Sequence, residues 1–210
     1  MRISYAITVC TEVREIQQLL LHLKKYKREE DEIVVLYDKV NGNELVEQNL
    51  SKDPDIVFGS QEFNGNFSLW KNILSSYCTG DFIFQIDADE LPHYFLLENL
   101  PYVLENSDVD LITVSRINTV EGLTEEHTKK WGWHVDENGW VNFPDRQSRI
   151  YKNRFNHSVK NKNIKWEGKV HETIKGFDTY SALPKIEEWC LYHHKSIDKQ
   201  EQQNAYYETL

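Results

Sequence analysis

The chain has 210 residues, with 34 acidic and 24 basic side chains, a formal charge of −10, 40% hydrophobic residues and 12% aromatic residues. That length fits one domain that folds around its own core without disulfides or structural metal, and the composition is too apolar for a disordered chain. The acidic balance excludes a generic nucleic-acid binder, whose footprint is basic, and no apolar run approaches the roughly 20 residues that span a bilayer.

The sequence enters polar territory by Glu12 without an h-region or cleavage site, so no secretory leader is expected. Cys10, Cys78 and Cys190 are odd in number and far apart, the pattern of reduced thiols in a cytosol-like compartment. The sequons at Asn49, Asn66 and Asn156 then read as chance matches in an Asn-rich chain.

In chain order, Ile3–Val9 is a short β-branched run and predicts a buried strand. Val13, Ile16, Leu19, Leu20, Leu23 and Tyr26 recur at helical spacing, and Lys24, Lys25, Lys27 and Arg28 give that helix the charge its C-terminus prefers. A second strand covers Glu32–Tyr37 and ends at Asp38, followed by a short helix over Glu44–Leu50. Asp55–Phe58 predicts a third strand. Phe67, Trp70, Ile73, Leu74 and Tyr77 predict a further amphipathic helix, broken by Thr79-Gly80. Asp81–Ile86 is the fourth strand, running into Asp87-Ala88-Asp89-Glu90. Pro92 suits a helix N1 position, with that helix reaching about Glu105, and Val109–Ile117 is the fifth strand. Alternating strands and helices indicate a mainly parallel sheet covered by helices.

The alternation ends at Asn118. Residues 118–145 read as a long loop or lobe carrying Trp131, Trp133 and Trp140. Ser148–Tyr151 is a short strand, Trp166–Ile174 is mixed, Glu188–His193 suggests a last strand, and the tail from Ser196 to Leu210 reads as helical. Charge is uneven: between Asp145 and Lys175 stand Arg146, Arg149, Lys152, Arg154, Lys160, Lys162, Lys165, Lys169 and Lys175 against Asp145, Glu167 and Glu172, so this span sums to +6 and the remainder carries −16. Such a span is either a solvated face or a local site for an anion.

Ligands of open α/β sheets bind beyond the carboxyl ends of the strands, which singles out Cys10-Thr11-Glu12, Asp38 and Asp87–Glu90. Three carboxylates within four residues repel one another. They call for a divalent cation such as Mg2+ or Mn2+ or for basic side chains, unless the turn simply caps the next helix.

Gly80–Glu90 resembles the strand and DxDE turn of family 2 glycosyltransferases with the GT-A fold. Phe67–Asn72 resembles the helix before that strand, with Lys71 where Arg is usual, and Ile3–Glu12 resembles the opening strand and nucleotide-contacting turn. Asp38 stands where an aspartate contacts the uracil or ribose, although Tyr37–Asn41 lacks the customary DDGSxD run. Asp145–Lys152, Trp166–Glu172 and Leu191–Ser196 are similar, in the right order, to segments of the subgroup that includes lipopolysaccharide-core glucosyltransferases.

The resemblance implies an α/β GT-A domain over 1–210: a Rossmann-like, mainly parallel central sheet flanked by helices, with a nucleotide-sugar-binding half (1–117) and a smaller C-terminal acceptor-side lobe (118–210). It implies inverting, metal-dependent transfer from a nucleotide diphosphate sugar, UDP-linked by expectation, to a hydroxyl of a glycan or lipid-linked acceptor. Glu172 would be the general base, with Glu90 the rival. Thr8, Cys10, Glu12, Asp38, Asn72, Asp87, Ala88, Arg149 and Lys195 would meet the donor, with Arg146 beside them. Glu90, Trp166 and His171 would line the pocket, and Asp89, Asp87 and His193 would hold Mn2+ or Mg2+, with His194 the alternative to His193. The tryptophans either stack on sugar or form the core of the second lobe. The expected setting is cytoplasmic, with peripheral contact to the inner face of a membrane as an option and no nucleic-acid partner. A sugar-phosphate nucleotidyltransferase and a non-catalytic carbohydrate- or nucleotide-binding protein are the alternatives. The first would carry a Gly-rich phosphate loop after the first strand, and Cys10–Arg14 has no glycine.

Overall fold

Two of the apolar runs near the N-terminus become strands buried on both faces. β1 (Ile3–Val9) and β2 (Glu32–Asp38) are buried along almost their whole length, as expected of parallel strands covered by helices. In a computed structural model that describes residues 1–153 and 164–207, they are followed by β3 (Val57–Gln61), β4 (Phe82–Asp87), β5 (Glu90–Pro92), β6 (Leu111–Glu121), β7 (Val141–Lys152), β8 (Lys165–Glu167), β9 (Thr173–Lys175), β10 (Tyr180–Ala182) and β11 (Cys190–Ser196). The helices are α1 (Val13–Tyr26), α2 (Glu44–Leu50), α3 (Phe67–Tyr77), α4 (Tyr94–Glu105), α5 (Glu125–Trp131) and α6 (Ile197–Tyr207). Arg154, Lys160 and Lys162 of the basic span, His157, the sequon at Asn156 and the chain end at Leu210 lie outside the described residues.

The main sheet has the order β3-β2-β1-β4-β7-β6-β11-β5, with β10 also paired to β6. β1, β2, β3 and β4 are mutually parallel, while β7 runs antiparallel between β4 and β6. Alternate residues of β1 serve two cores. Tyr5 and Ile7 pack with Ile16, Leu19 and Leu23 of α1 and Leu97 and Leu100 of α4. Ala6 packs with Ile83, Tyr151, Trp70 and Leu74 of α3, and Trp166 and Ile174 of the separate β8–β9 ribbon. The ribbon therefore closes over α3 and adds a second layer next to the strand ends.

Local sequence sets the entry to these elements. Asn66 caps α3 by accepting from the Leu69 N–H at 3.0 Å, and Asn43 does the same for α2 through Leu45. Gly80 precedes β4 because nothing larger fits: a Cβ there would lie 2.8 Å from the Ser4 amide nitrogen and 2.9 Å from the Arg2 carbonyl oxygen.

Several boundaries depart from the sequence reading. Pro92 ends β5 rather than opening a helix, and α4 starts at Tyr94 with His93 as its cap. β5 pairs antiparallel with β11, about a hundred residues away, so no local pattern announces it. The expected loop 118–145 is largely ordered: β6 continues to Glu121, α5 follows, and β7 begins at Val141 instead of Ser148. The third strand covers Val57–Gln61, and the last extends to Ser196. No helix among the described residues is long and apolar enough to cross a membrane.

Candidate active site

The carboxyl ends of β1, β2 and β4 open into a cleft of about 1050 Å3 whose other walls come from β6, β7, β11, the β8–β9 ribbon and α6. Parallel pairing puts Thr8 of β1 level with Asp87 of β4. Of the residues expected at the site, Thr8, Cys10, Glu12, Asp38, Asp87, Ala88, Asp89, Arg146, Arg149, Trp166, His171, Glu172, His193 and Lys195 all line this cleft. Asn72 and Glu90 do not, and His194 faces away, with its ring on the Thr119 hydroxyl at 2.9 Å.

At the β1 end, the Glu12 carboxylate accepts from the Cys10 and Thr11 amides, each at 2.9 Å. The protein's own anion thus takes the amides that a phosphate cradle would offer. Asp38 accepts from the Val40 amide at 3.0 Å, the Phe63 amide at 3.3 Å and the Asn41 side chain at 2.8 Å. Burial raises its carboxyl, but these donors hold it below the usual range. Burial, Asp38 and Glu12 push the Cys10 thiol up to about 11, so it stays neutral near pH 7.

The acidic turn after β4 is compensated by side chains of this chain. Arg149 stands at a register shift of β7 against β6, a β-bulge of the kind that aims side chains into sites. Its guanidinium donates to Gln85 at 2.6 Å, Asp87 at 2.7 Å and Glu90 at 2.5 Å. The group expected on the diphosphate is therefore committed to the turn. Glu90 corrects another expectation. It is 1% exposed, binds Arg149 and Arg116 through one oxygen and the Asp87 amide through the other, and so faces no pocket and cannot serve as the rival base. Asp87 lines the cleft but has both oxygens engaged, by Gln85 at 2.9 Å and Arg149 at 2.7 Å, so it is the more heavily committed of the two aspartates. Burial acts to raise the Asp87 carboxyl, yet Arg149, Lys71 and Gln85 hold it far below the usual range.

Asp89 and His193 remain as candidate ligands. The His193 Nδ1 lies 2.7 Å from the Asn118 carbonyl oxygen, whose amide end donates to Asp145 at 2.9 Å. That orientation puts the imidazole proton on Nδ1 and aims the Nε2 lone pair at Asp89 Oδ2, 3.5 Å away. Two electron-rich atoms so placed call for a cation or a proton between them, and a carbonyl behind the imidazole is the usual support of a metal-bound histidine. The pair fits a hard divalent cation that takes its other ligands from water and phosphate. Among the described residues there is no group of three or more such side chains. Lys199 of α6 reaches the same Asp89 oxygen at 3.1 Å. Burial raises the Asp89 carboxyl, but His193 and Lys199 hold it well below the usual range.

Sequence reasoning gave no role to Arg116, Asn118, Asp145 and Lys199. Arg116 bridges Glu90 at 3.0 Å and Asp145 at 2.8 Å. Arg116 and Asn118 share a face of β6 by the two-residue period, which was the one available signal. Lys71, noted only as a departure from Arg, forms an ion pair with Glu172 at 2.6 Å. Asn72 clamps the backbone of Trp166 with two hydrogen bonds of 2.9 Å, so its carboxamide is occupied away from the cleft. Trp166 is 4% exposed and belongs to a core. Trp133 lines the cleft, Trp131 stacks on His127, and Trp140 packs edge-on against Phe143.

A sequence model of glycosyl transferase family 2 matches residues 4–196. No curated protein sequence matches the chain. Among solved structures, the chain is similar to S. aureus TarS residues 1–349 at 16% identity and a TM-score of 0.59, covering 92% of this chain and 60% of that one. The same TarS fragment in complex with UDP-GlcNAc aligns at 15% identity and a TM-score of 0.58, over 93% of this chain and 59% of that one. Its complex with UDP aligns at 14% identity and a TM-score of 0.60, over 92% and 60%. The chain thus spans about three fifths of these TarS chains, and at such identities the likeness is one of fold.

Proposed function

The chain belongs to glycosyl transferase family 2, and from that membership we propose that it is an inverting, metal-dependent glycosyltransferase that moves a sugar from a UDP-linked donor to a hydroxyl of a glycan or lipid-linked acceptor. The observation that carries this reading is the gathering of Asp89, His193 and Glu172 in one cleft at the carboxyl ends of β1, β2 and β4. The UDP and UDP-GlcNAc complexes of the similar TarS fold favour uridine as the base. The ordered segments from Asp145 to Ser196 favour the lipopolysaccharide-core type subgroup, hence an envelope glycan as acceptor. Cys10, Cys78 and Cys190, odd in number and far apart in the sequence, favour a reducing, cytosol-like setting.

Asp89 and His193 would hold Mn2+ or Mg2+. When bound, such a cation supplies charge neutralisation at the departing diphosphate. The protein's own contributions follow from the geometry. Arg149 and Arg116 fix the turn that presents Asp89. Arg146 and Lys195 line the cleft and form no ion pair among the described residues, which leaves their charge for the diphosphate. Arg146 is anchored by the Leu183 carbonyl at 2.7 Å and Lys195 by Gln203 at 2.5 Å. Burial holds the Lys195 ammonium below the usual lysine range. Glu172 accepts the proton of the acceptor hydroxyl as its oxygen attacks the anomeric carbon and the bond to the nucleoside diphosphate breaks. His171, with a left-handed backbone at φ 56°, turns the chain just before Glu172.

A nucleotidyltransferase reading is disfavoured because Glu12 occupies the amides of the β1 turn. The test is nucleotide release from a panel of UDP-, GDP- and dTDP-sugars with and without Mn2+, beside the melting shift given by UDP with Mn2+. Release confined to one donor class and dependent on Mn2+ is expected. Binding of UDP without release from any donor would refute the enzyme reading.

A further inference from the structure

Lys71 is a buried ammonium whose ion pair and ring contact both come from the segment that carries Glu172. Its side chain is 9% exposed, its Nζ stands 2.6 Å from Glu172 Oε1, and it lies over the Trp166 ring at 4.4 Å from the centroid. The same helix holds that segment at three more points. The Phe67 amide donates to the Lys169 carbonyl at 3.0 Å. Asn72 brackets the backbone of Trp166, as described above. Ser75 meets the Tyr151 hydroxyl at 2.9 Å, and that hydroxyl accepts from the Trp166 indole at 3.0 Å. One face of α3 therefore fixes residues 166–172 against the sheet, with the Lys71–Glu172 ion pair among its contacts.

We propose that Lys71 is the positioning residue for Glu172: its ammonium pins one carboxylate oxygen and turns the other toward the acceptor hydroxyl. This rests on Glu172 being the base. A glutamate has three rotatable side-chain bonds, and an unanchored carboxylate samples many directions. Misplacing a reacting group by about 1 Å can lower a rate about 100-fold. Anchoring by a nearly buried ammonium, itself held against an aromatic face, removes that freedom before substrate arrives. The Lys71 ammonium is committed to Glu172 in this structure, so Lys71 acts through Glu172 and not as a ligand of the diphosphate.

The experiment is a double-mutant cycle on nucleotide release from the UDP-sugar that the donor panel identifies, with UDP affinity in Mn2+ measured on each variant. Lys71→Met should lower kcat by about 10- to 100-fold with UDP affinity within twofold, and Lys71→Arg should recover part of the loss. In a Glu172→Gln background, Lys71→Met should have no further effect. Should Lys71→Met not fold, Lys71→Arg is carried through the same cycle, and its smaller loss should likewise vanish in the Glu172→Gln background. Additive losses, a parallel fall in UDP affinity, or an arginine no better than methionine would each overturn the proposal. A Glu172→Gln variant with near-normal release would instead overturn the base assignment, and the positioning role with it. A Glu172→Gln variant with strongly lowered but measurable release and additive losses would remove the positioning role alone.

Discussion

Arg149→Met should be among the most destabilising single changes in this protein. The Arg149 side chain is 3% exposed and that of Glu90 is fully buried. The guanidinium gives one hydrogen bond to Gln85, one to Asp87 and one to Glu90, at 2.5 to 2.7 Å. Methionine fills most of the volume and removes the charge, leaving Glu90 with Arg116 as its remaining ionic partner and the Asp87 amide on its other oxygen. Removing one partner of a buried pair costs about 3–5 kcal/mol, a large share of the roughly 5–15 kcal/mol that holds a domain folded. For a chain of this size that corresponds to a fall in Tm of about 6–20 °C. The buried Arg149 Nε has no partner among the described residues, and losing that orphan donor offsets only a small part. Urea unfolding at pH 7 measures the loss as a shift in midpoint at constant slope. The double variant Arg149→Met/Glu90→Gln should regain more than about 1 kcal/mol over the single, because Arg116 alone would otherwise be shared between the buried Glu90 carboxylate and Asp145. A loss below about 1 kcal/mol for the single variant, or no recovery in the double, would show that the turn is not held by this arginine.

Asn72→Ala should lower stability by about 1–3 kcal/mol, since both backbone groups of Trp166 lose a partner, and should leave UDP affinity within twofold; a tenfold weaker Kd by titration calorimetry would return Asn72 to the donor site. Lys199→Ala frees the Asp89 oxygen and should tighten Mn2+ binding without nucleotide by up to about fivefold, the equivalent of a partly exposed pair of about 1 kcal/mol. Weaker Mn2+ binding in that calorimetric titration would contradict the Asp89–His193 assignment. Glu32→Gln tests a carboxylate remote from the cleft. Burial raises the Glu32 carboxyl, but the Ser4 hydroxyl, the Thr79 amide and hydroxyl, and Arg2 together hold it below the ordinary value. Its contribution is then fully present above the unfolded value of about 4.3 and is lost as pH falls through the lower folded value. Wild type should exceed Glu32→Gln by about 1–2 kcal/mol at pH 7, with the gap closing below about pH 4 in urea midpoints taken across pH.

The first half of the chain, residues 1–117, was legible because its signals are local. Ile16, Leu19, Leu20 and Leu23 recur at helical spacing and are the residues α1 buries, and the β-branched runs of β1 and β2 are buried as read. β5 was missed because three residues ending in proline acquire strand character only by pairing with β11. The first half of β7 was missed because Asn142–Gln147 is polar and largely solvent-facing, so it lacks the apolar rhythm of a strand. The motifs located the gathering of side chains at the cleft but misjudged their bonding. An arginine in a basic stretch reads as a phosphate ligand in one dimension. That Arg149 instead reaches Gln85, Asp87 and Glu90 depends on the antiparallel pairing of β7 beside β4, which no spacing in the sequence encodes.

The ion-pair map also changes what the net charge means for the donor. Arg149 and Arg116 already balance Asp87 and Glu90 of the acidic turn, and Lys71 balances Glu172, so Asp89 is the carboxylate of the turn left to the proposed cation. A diphosphate entering the cleft meets a wall whose arginines at the turn are committed and therefore cannot swing toward it. On the proposed reading, neutralisation comes from Arg146 and Lys195, which have no carboxylate partner among the described residues, and from a cation at Asp89 and His193. The proposed metal dependence then has a physical ground separate from the DxD pattern: the arginines at the turn maintain its shape, so the charge that meets the leaving group would come from Arg146, Lys195 and a cation bound with the donor.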